Sequence, residues 1–387
     1  MNQPIFCGRG TKVPYADFMD LINLAFGFTE PERQFYGLLP KCYREHFRPQ
    51  DSNYVVIDEN GALTTAVGAY DHELIVCGHR LPCRGIGNVA VHPDHRSKGY
   101  MKDAMNASLK DMVADGIALS TLGGRRQRYQ YFGYDKAGPI YHFHISRDNL
   151  RHTYKDLSSP FEVRLVTDAA DPVIDDILTL VNAQPVIPVR LREHFLDIAN
   201  TWRAKLLVFA DGERFVGYAI LDESKSISEI LTVDSKDFMN VIRSVFAYLN
   251  EGFSVCLSFH AVDAIQDLAP LAEGMSVGCA MHFNILNYRA VTEAFLDLKL
   301  SYTKLPDGAV TFLIHGFAGD EKLTVRVSDG AASVTEAAET DPVDYELSHM
   351  EAMAFLYSPI SPLRDGSSDL CKLWFPLPVC MYRADEV

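Results

Sequence analysis

Apolar residues at Phe18, Leu21, Ile22 and Phe26 recur at helical spacing, which predicts a helix over Tyr15–Phe26. The pattern then shortens to that of strands. Tyr54–Ile57 and Ala62–Tyr70 are expected to pair through a turn at Glu59-Asn60-Gly61. A further strand pattern covers Glu73–Val76, and Gly78-His79-Arg80 has turn composition. Ile86–Val91 reads as a buried strand, Lys98–Ala114 as a helix and Ile117–Thr121 as a short strand. A helix between two apolar strands predicts a parallel pair joined by a crossover.

The pattern restarts near Pro160. Phe161–Val166 reads as a strand and Asp171–Asn182 as a helix. Leu206–Phe209 and Phe215–Leu221 read as a hairpin, Ser235–Asn250 as a helix and Phe253–Phe259 as a strand. This order loosely repeats the first, and the string Arg44-Glu-His-Phe47 recurs as Arg192-Glu-His-Phe195, so an internal duplication is expected. A third segment carries helix patterns at Arg289–Leu298 and Ser348–Leu356. Its strand patterns lie at Ala309–Ile314, Lys322–Ser328 and Ala332–Glu336. The apolar stretch Lys372–Val379 predicts a tail docked on the protein. The boundaries expected are 1–156, 157–283 and 284–387.

Composition narrows the class. The 387 residues suit two to four domains, and the hydrophobic (48%) and charged (22%) fractions are those of soluble globular proteins. No apolar run is long enough to span a bilayer. The start, MNQPIFCGRG, has no basic segment followed by an apolar one, so no secretory leader is expected. Eight scattered cysteines without a CxxC pair predict reduced thiols in a cytoplasmic protein and no metal centre. A net charge of −15 argues against nucleic-acid and membrane partners; it either favours a cationic small molecule or basic peptide or serves only to keep the protein soluble. His142 and His144 share a strand face without an evident third ligand, which predicts a structural pair.

The chemistry concentrates in Gly85–Met105. The strand Val89-Ala90-Val91 stops at Pro93, and Arg96-Ser97-Lys98-Gly99-Tyr100-Met101 opens a helix. Gly99 lets the backbone approach a ligand closely. The first helical turn presents unpaired N–H groups beside two cations, a site for phosphate or pyrophosphate. There is no GxxxxGK[ST] and no GxGxxG, which argues against a P-loop and a dinucleotide fold.

This stretch resembles the acetyl-CoA motif of the GNAT superfamily, V-x-V-x-P followed by R/Q-x-x-G-x-G/A. Met101 at its last position is a feature of the Eis-like branch. Arg128-Tyr-Gln-Tyr-Phe-Gly-Tyr134 is similar to that branch's second motif. The resemblance implies an α/β (α+β) protein of two tandem GNAT folds, each a mixed twisted sheet flanked by helices, plus a sterol-carrier-protein-like α+β domain. It implies an N-acetyltransferase that uses acetyl-CoA as co-substrate, without a metal, on an amine of a small molecule or lysine-containing peptide. Val89, Ala90 and Val91 would meet the pantetheine arm. Arg96, Ser97, Lys98, Gly99, Tyr100 and Met101 would hold the pyrophosphate. Tyr129 would protonate the departing thiolate, and Val387 would bring the terminal carboxylate to the first domain's site as base. Asp385, Glu386 or a water chain are the alternatives for the base. The second domain lacks the cofactor pattern and is expected to bind none. The branch forms homo-oligomers, commonly hexamers. A different class of reading is a lipid-binding or acetyl-CoA-sensing module without turnover, which would need neither Tyr129 nor the terminal carboxylate.

Overall fold

The computed structural model describes residues 6–387. A long hairpin organises the first third: β3 (Leu63–Val76) and β4 (His79–Val91), flanked by β1 (Phe6–Arg9), β2 (Asn53–Ile57) and β5 (Leu119–Leu122). The polar stretch Asp71-His72-Glu73 does not interrupt β3, contrary to the two separate strands expected. Arg84, directly opposite Asp71, donates to it at 2.5 Å, and Arg80 forks onto Glu73 with two bonds of 2.7 Å. Cross-strand ion pairs let a polar run stay extended. The turn is Cys77-Gly78, both at positive φ (48° and 89°), so His79 begins β4 instead of lying in the turn. The helix that follows β4 spans Tyr100–Ala114. It starts two residues later than the pattern suggested, because Ser97 and Gly99 take left-handed φ of 66° and 90°.

The second third builds β7 (Glu162–Leu165), β8 (Val186–Pro188), β9 (Lys205–Asp211), β10 (Arg214–Leu221), β11 (Ser226–Thr232) and β12 (Phe253–Ser258). Two more strands, β6 (Asp135–Ile145) and β13 (Gly274–Ile285), join the halves. The sheet order is β1-β2-β3-β4-β5-β13-β6-β12-β11-β10-β9-β7, with β8 on β3. It is palindromic in kind: β13, from the second half, pairs with β5 of the first, and β6, from the first, pairs with β12 of the second. Each half completes the other's sheet. The two Arg-Glu-His-Phe strings each form a short 3-10 turn, offset by one residue within the string, and Phe47 meets His194 with ring centroids 4.8 Å apart.

A four-stranded sheet follows, of order β16-β15-β14-β17, made of β14 (Gly308–His315), β15 (Asp320–Ser328), β16 (Ala331–Glu336) and β17 (Tyr345–Ser348). The helices Tyr288–Tyr302 and His349–Tyr357 accompany it, the latter started by a Ser348–Glu351 capping box. Phe295, Tyr357, Trp374 and Leu377 are fully buried in one core with Leu74, Val76, Leu81 and Cys83 of the β3–β4 hairpin. Burying each large apolar side chain contributes about 1.5–3 kcal/mol. This core holds the chain near Trp374 firmly, and the docked tail continues from there to Val387.

Candidate active site

β4 and β5 are parallel neighbours over Cys83–Ile86 and Leu119–Leu122 only. Beyond Ile86 they part, because β4 bulges against β3 between Ala66 and Gly68. Asn88, at φ 34°, occupies the bulge. Its side chain is held from two sides, accepting from the Tyr43 hydroxyl at 2.5 Å and donating to Asn53 at 2.7 Å. A bulge unpairs the ladder and re-aims the strand. Here it leaves β4 from Gly87 to Val91 without a partner strand on the β5 side, a bare backbone edge that an extended ligand could join.

That edge leads to the anion turn. A cleft of ≈ 600 Å³ is lined by Val89, Val91, Arg96, Ser97, Lys98, Gly99, Tyr100 and Met101, together with Lys102 and Arg128. Among the described residues, no backbone N–H from Ser97 to Met101 donates to a protein acceptor. Lys102 and Asp103 donate back to the Gly99 carbonyl and close the first helical turn. Arg96 reaches the Ala25 carbonyl at 3.4 Å, which ties the turn to the end of the helix Tyr15–Phe26. Free donors, a helix N-terminus and four cations together make an anion cradle. Ala90 is the one residue of the expected cofactor set that faces away: it is buried against the Tyr15–Phe26 helix, in a core with Phe18 and Ile22.

Tyr129 is buried in the core on the side of the helix Tyr100–Ala114, with Ile86, Tyr100 and Phe132, and with Val89 and Met101 packed against it. Its ring fills the space over Gly124, where a Cβ would sit 2.7 Å away. Burial pushes its phenol up from the usual range, although Arg128 pulls the other way. It therefore stays protonated at neutral pH. Val387 approaches from the opposite face. A Cβ at Gly85 would lie 2.6 Å from Val387 Cγ2, and one at Gly87 would lie 3.0 Å from its carboxyl carbon. Two glycines on one face of β4 thus form a slot for the chain terminus. The strand's two-residue period puts Ile86 on the Tyr129 side and Gly85 and Gly87 on the Val387 side. The sequence reading singled out both Tyr129 and Val387, and the fold brings them to the same stretch of β4.

Several residues beside the terminus were not anticipated. Gly85-Ile-Gly87 was legible as two glycines in a strand, a signal of close backbone approach. Arg190, Glu229 and Lys41, which surround the tail, gave no local signal, since they lie far apart in the chain. Asp385, an alternative for the base, has both carboxylate oxygens engaged by Arg190, at 3.1 and 2.7 Å. Burial alone would raise its pKa, yet Arg190 holds it below the ordinary carboxylate range. Glu386 is pushed up to about 7 by burial. On the strands, His142 Nδ1 meets Cys256 Sγ at 3.2 Å. Among the described residues, no group of three His, Cys, Asp or Glu could hold a metal ion.

These features define a class. Residues 9–137 match the acetyltransferase (GNAT) domain family, a span that contains the bulged β4, the anion turn and Tyr129. The chain carries a GNAT domain there and is an enzyme of the N-acetyltransferase type. Solved structures share the fold over nearly the whole length. A probable N-acyltransferase from Enterococcus faecalis V583 is 19% identical, with TM-score 0.63, covering 90% of this chain and 88% of that one. A GCN5-related N-acetyltransferase from Anabaena variabilis is 13% identical, with TM-score 0.67 and coverage of 97% and 98%. Eis1 from Mycobacterium abscessus is 14% identical, with TM-score 0.59 and coverage of 97% and 96%. No curated protein matches the sequence. Among the described residues, no helix is long and apolar enough to cross a membrane.

Proposed function

We propose that this chain transfers the acetyl group of acetyl-CoA to an amine, with Tyr129 as acid and the terminal carboxylate of Val387 as base. The observation that carries the reading is the arrangement around β4: a bare strand edge running into an anion cradle, with a buried phenol on one face and the chain's carboxylate on the other. The pantetheine arm would extend the sheet along Gly87–Val91, and Arg96–Met101 would receive the pyrophosphate.

The amine nitrogen attacks the thioester carbonyl and forms the N–C bond. Its proton passes to the Val387 carboxylate as the nitrogen becomes acidic during attack. The C–S bond then breaks, and the departing sulfur takes the proton of Tyr129. Exchange with solvent returns both groups to their starting states. Acid and base act from opposite faces of β4, so neither blocks the other.

For the acceptor, we favour a cationic amine of a small molecule or a lysine side chain. The net charge of −15 draws such molecules in. A second cleft of ≈ 590 Å³, with Tyr15, Asp20, Gln34 and Tyr36 in its wall, lies on the helix whose inner face packs near Val387. A cytoplasmic homo-oligomer remains part of this reading, as does kinship of the four-stranded third segment with sterol carrier proteins. The test is thiol release from acetyl-CoA with polyamines, aminoglycosides and lysine peptides. Amine-dependent release is expected. Binding of acetyl-CoA without release for any amine supports the sensing module instead.

A further inference from the structure

The duplicated sheet places a second diverging strand pair in the molecule. β11 and β12 are parallel neighbours only at Ser226–Ser254 and Ile227–Val255. β11 bulges against β10 just there, between Ile220 and Leu221, as β4 bulges against β3. No Arg-x-x-Gly turn follows β11; Val233-Asp-Ser-Lys-Asp237 leads into the helix Phe238–Leu249. The chain's own tail lies at this divergence. Met381, Tyr382 and Glu386 wall a cavity of ≈ 140 Å³ together with Ile230 of β11 and Cys256 of β12.

One buried guanidinium connects this place to the tail. Arg190 donates to Glu229 of β11 with bonds of 2.7 and 2.8 Å, and to Asp385 with bonds of 3.1 and 2.7 Å. The Arg190 and Glu229 side chains are each 1% exposed. The Tyr218 hydroxyl donates to Glu229, the Tyr382 ring lies 5.4 Å from the guanidinium carbon, and Lys41 donates to the Ala384 carbonyl. Val387, two residues beyond Asp385, sits in the Gly85–Gly87 slot.

Chain ends are ordinarily mobile, whereas a general base must be held to a fraction of an ångström. A planar guanidinium can grip two carboxylates with fixed geometry, which a lysine ammonium cannot. We propose that Arg190 is a positioning residue of the first domain's site. Held on β11 by Glu229, it latches Asp385 and so sets the carboxylate of Val387 over β4. The diverging strands of the second half thereby seat the chain's own tail where the first half receives the pantetheine arm. This rests on Val387 acting as the base.

Asp385→Ala tests the latch while leaving the Arg190–Glu229 pair to hold the second half together, with Asp385→Asn as the conservative partner. Three quantities are read: release of Val387 by a carboxypeptidase, kcat for amine-dependent thiol release, and the Kd of acetyl-CoA. Asp385→Ala is expected to free the tail and lower kcat about 10- to 100-fold, with the Kd changed less than about twofold. Asp385→Asn, which can still accept from Arg190, is expected to recover part of the loss. A tail that stays protected with kcat unchanged overturns the proposal. A protected tail with kcat and thermal stability both lowered also overturns it, because Arg190 would then support only the fold. A freed tail with unchanged kcat leaves the latch standing and overturns Val387 as base.

Discussion

Gly85→Ala probes the terminal slot with a single methyl group. The new Cβ would stand 2.6 Å from Val387 Cγ2, which is 0.8 Å inside the 3.4 Å at which ordinary contact begins. Its other neighbours, Thr121 Oγ1 at 3.4 Å and His72 Cε1 at 3.7 Å, are at ordinary distances, so Val387 must move. Gly85 does not have the positive φ that an alanine would resist. The substitution should leave the thermal midpoint little changed, because the clash falls on the side chain of the terminal residue and not on the sheet. Displacing a catalytic group by about 1 Å costs about 10²-fold in rate, equivalent to about 2.7 kcal/mol of activation free energy. The assay is kcat for thiol release at saturating amine, with the Kd of acetyl-CoA measured in parallel. The decisive arm adds Val387→Gly, which removes the clashing isopropyl group but keeps the terminal carboxylate. The double variant should regain most of the lost rate, a coupling of about 2 kcal/mol within reach of a double-mutant cycle. Wild-type kcat in Gly85→Ala, or no recovery in the double variant, refutes the reasoning.

Other perturbations separate the remaining parts. Tyr129→Phe should lower kcat by about 10²-fold or more while acetyl-CoA affinity stays within about twofold; equal losses in both would assign the ring to packing alone. Burial raises the Tyr129 pKa, so the proton needed by the leaving thiolate is retained above the usual tyrosine range, and the alkaline limb of kcat should fall there and vanish in Tyr129→Phe. Gly99→Glu places a carboxylate in the anion cradle at a φ of 90° and should abolish acetyl-CoA binding by calorimetry; retained binding would move the pyrophosphate elsewhere. Extending the chain past Val387, or deleting it, should cut turnover at least about tenfold with acetyl-CoA still bound, so full activity in a C-terminally tagged protein counts against the carboxylate. Burial pushes His260 down to about 4, below its unfolded value of about 6.5, so the unfolded chain takes up its proton first. Its contribution is present above pH 6.5 and lost as pH falls toward 4, by at most about 1.4 kcal/mol per pH unit. Urea midpoints at pH 7.5 and 5 should differ more in wild type than in His260→Gln.

The fold and site were legible where the physics is local. The helix Tyr15–Phe26 was fixed by the spacing of Phe18, Leu21 and Ile22, which its inner face buries, although Phe26 of the same pattern stays exposed. The anion turn could be placed because Pro93, Gly99 and the neighbouring cations each constrain the backbone over a few residues. The β3–β4 hairpin was misread as broken because Asp71 and His72 look unsuited to a strand interior until Arg84 is brought opposite Asp71. That pairing is a property of register, which depends on the turn chosen at Cys77-Gly78. Ser226–Thr232 was not recognised as a strand, since only its packing between β10 and β12 rewards an extended backbone there.

By itself, then, the sequence determined the strand–turn–helix around Pro93 and Gly99, the position of Tyr129 shortly after it, and the repeated order of elements. All of these are written in contacts of short range. The exchange of β6 and β13 between the halves, the slot at Gly85 and Gly87, and the Arg190 link to Asp385 belong to the tertiary structure alone. Arg190 and Asp385 are 195 residues apart, and Val387 is about 300 residues from the strand it faces. No periodicity records such a meeting; it follows from how two twisted half-sheets and the docked third segment pack, and from a tail anchored at Trp374 that has little freedom left by the time it reaches β4.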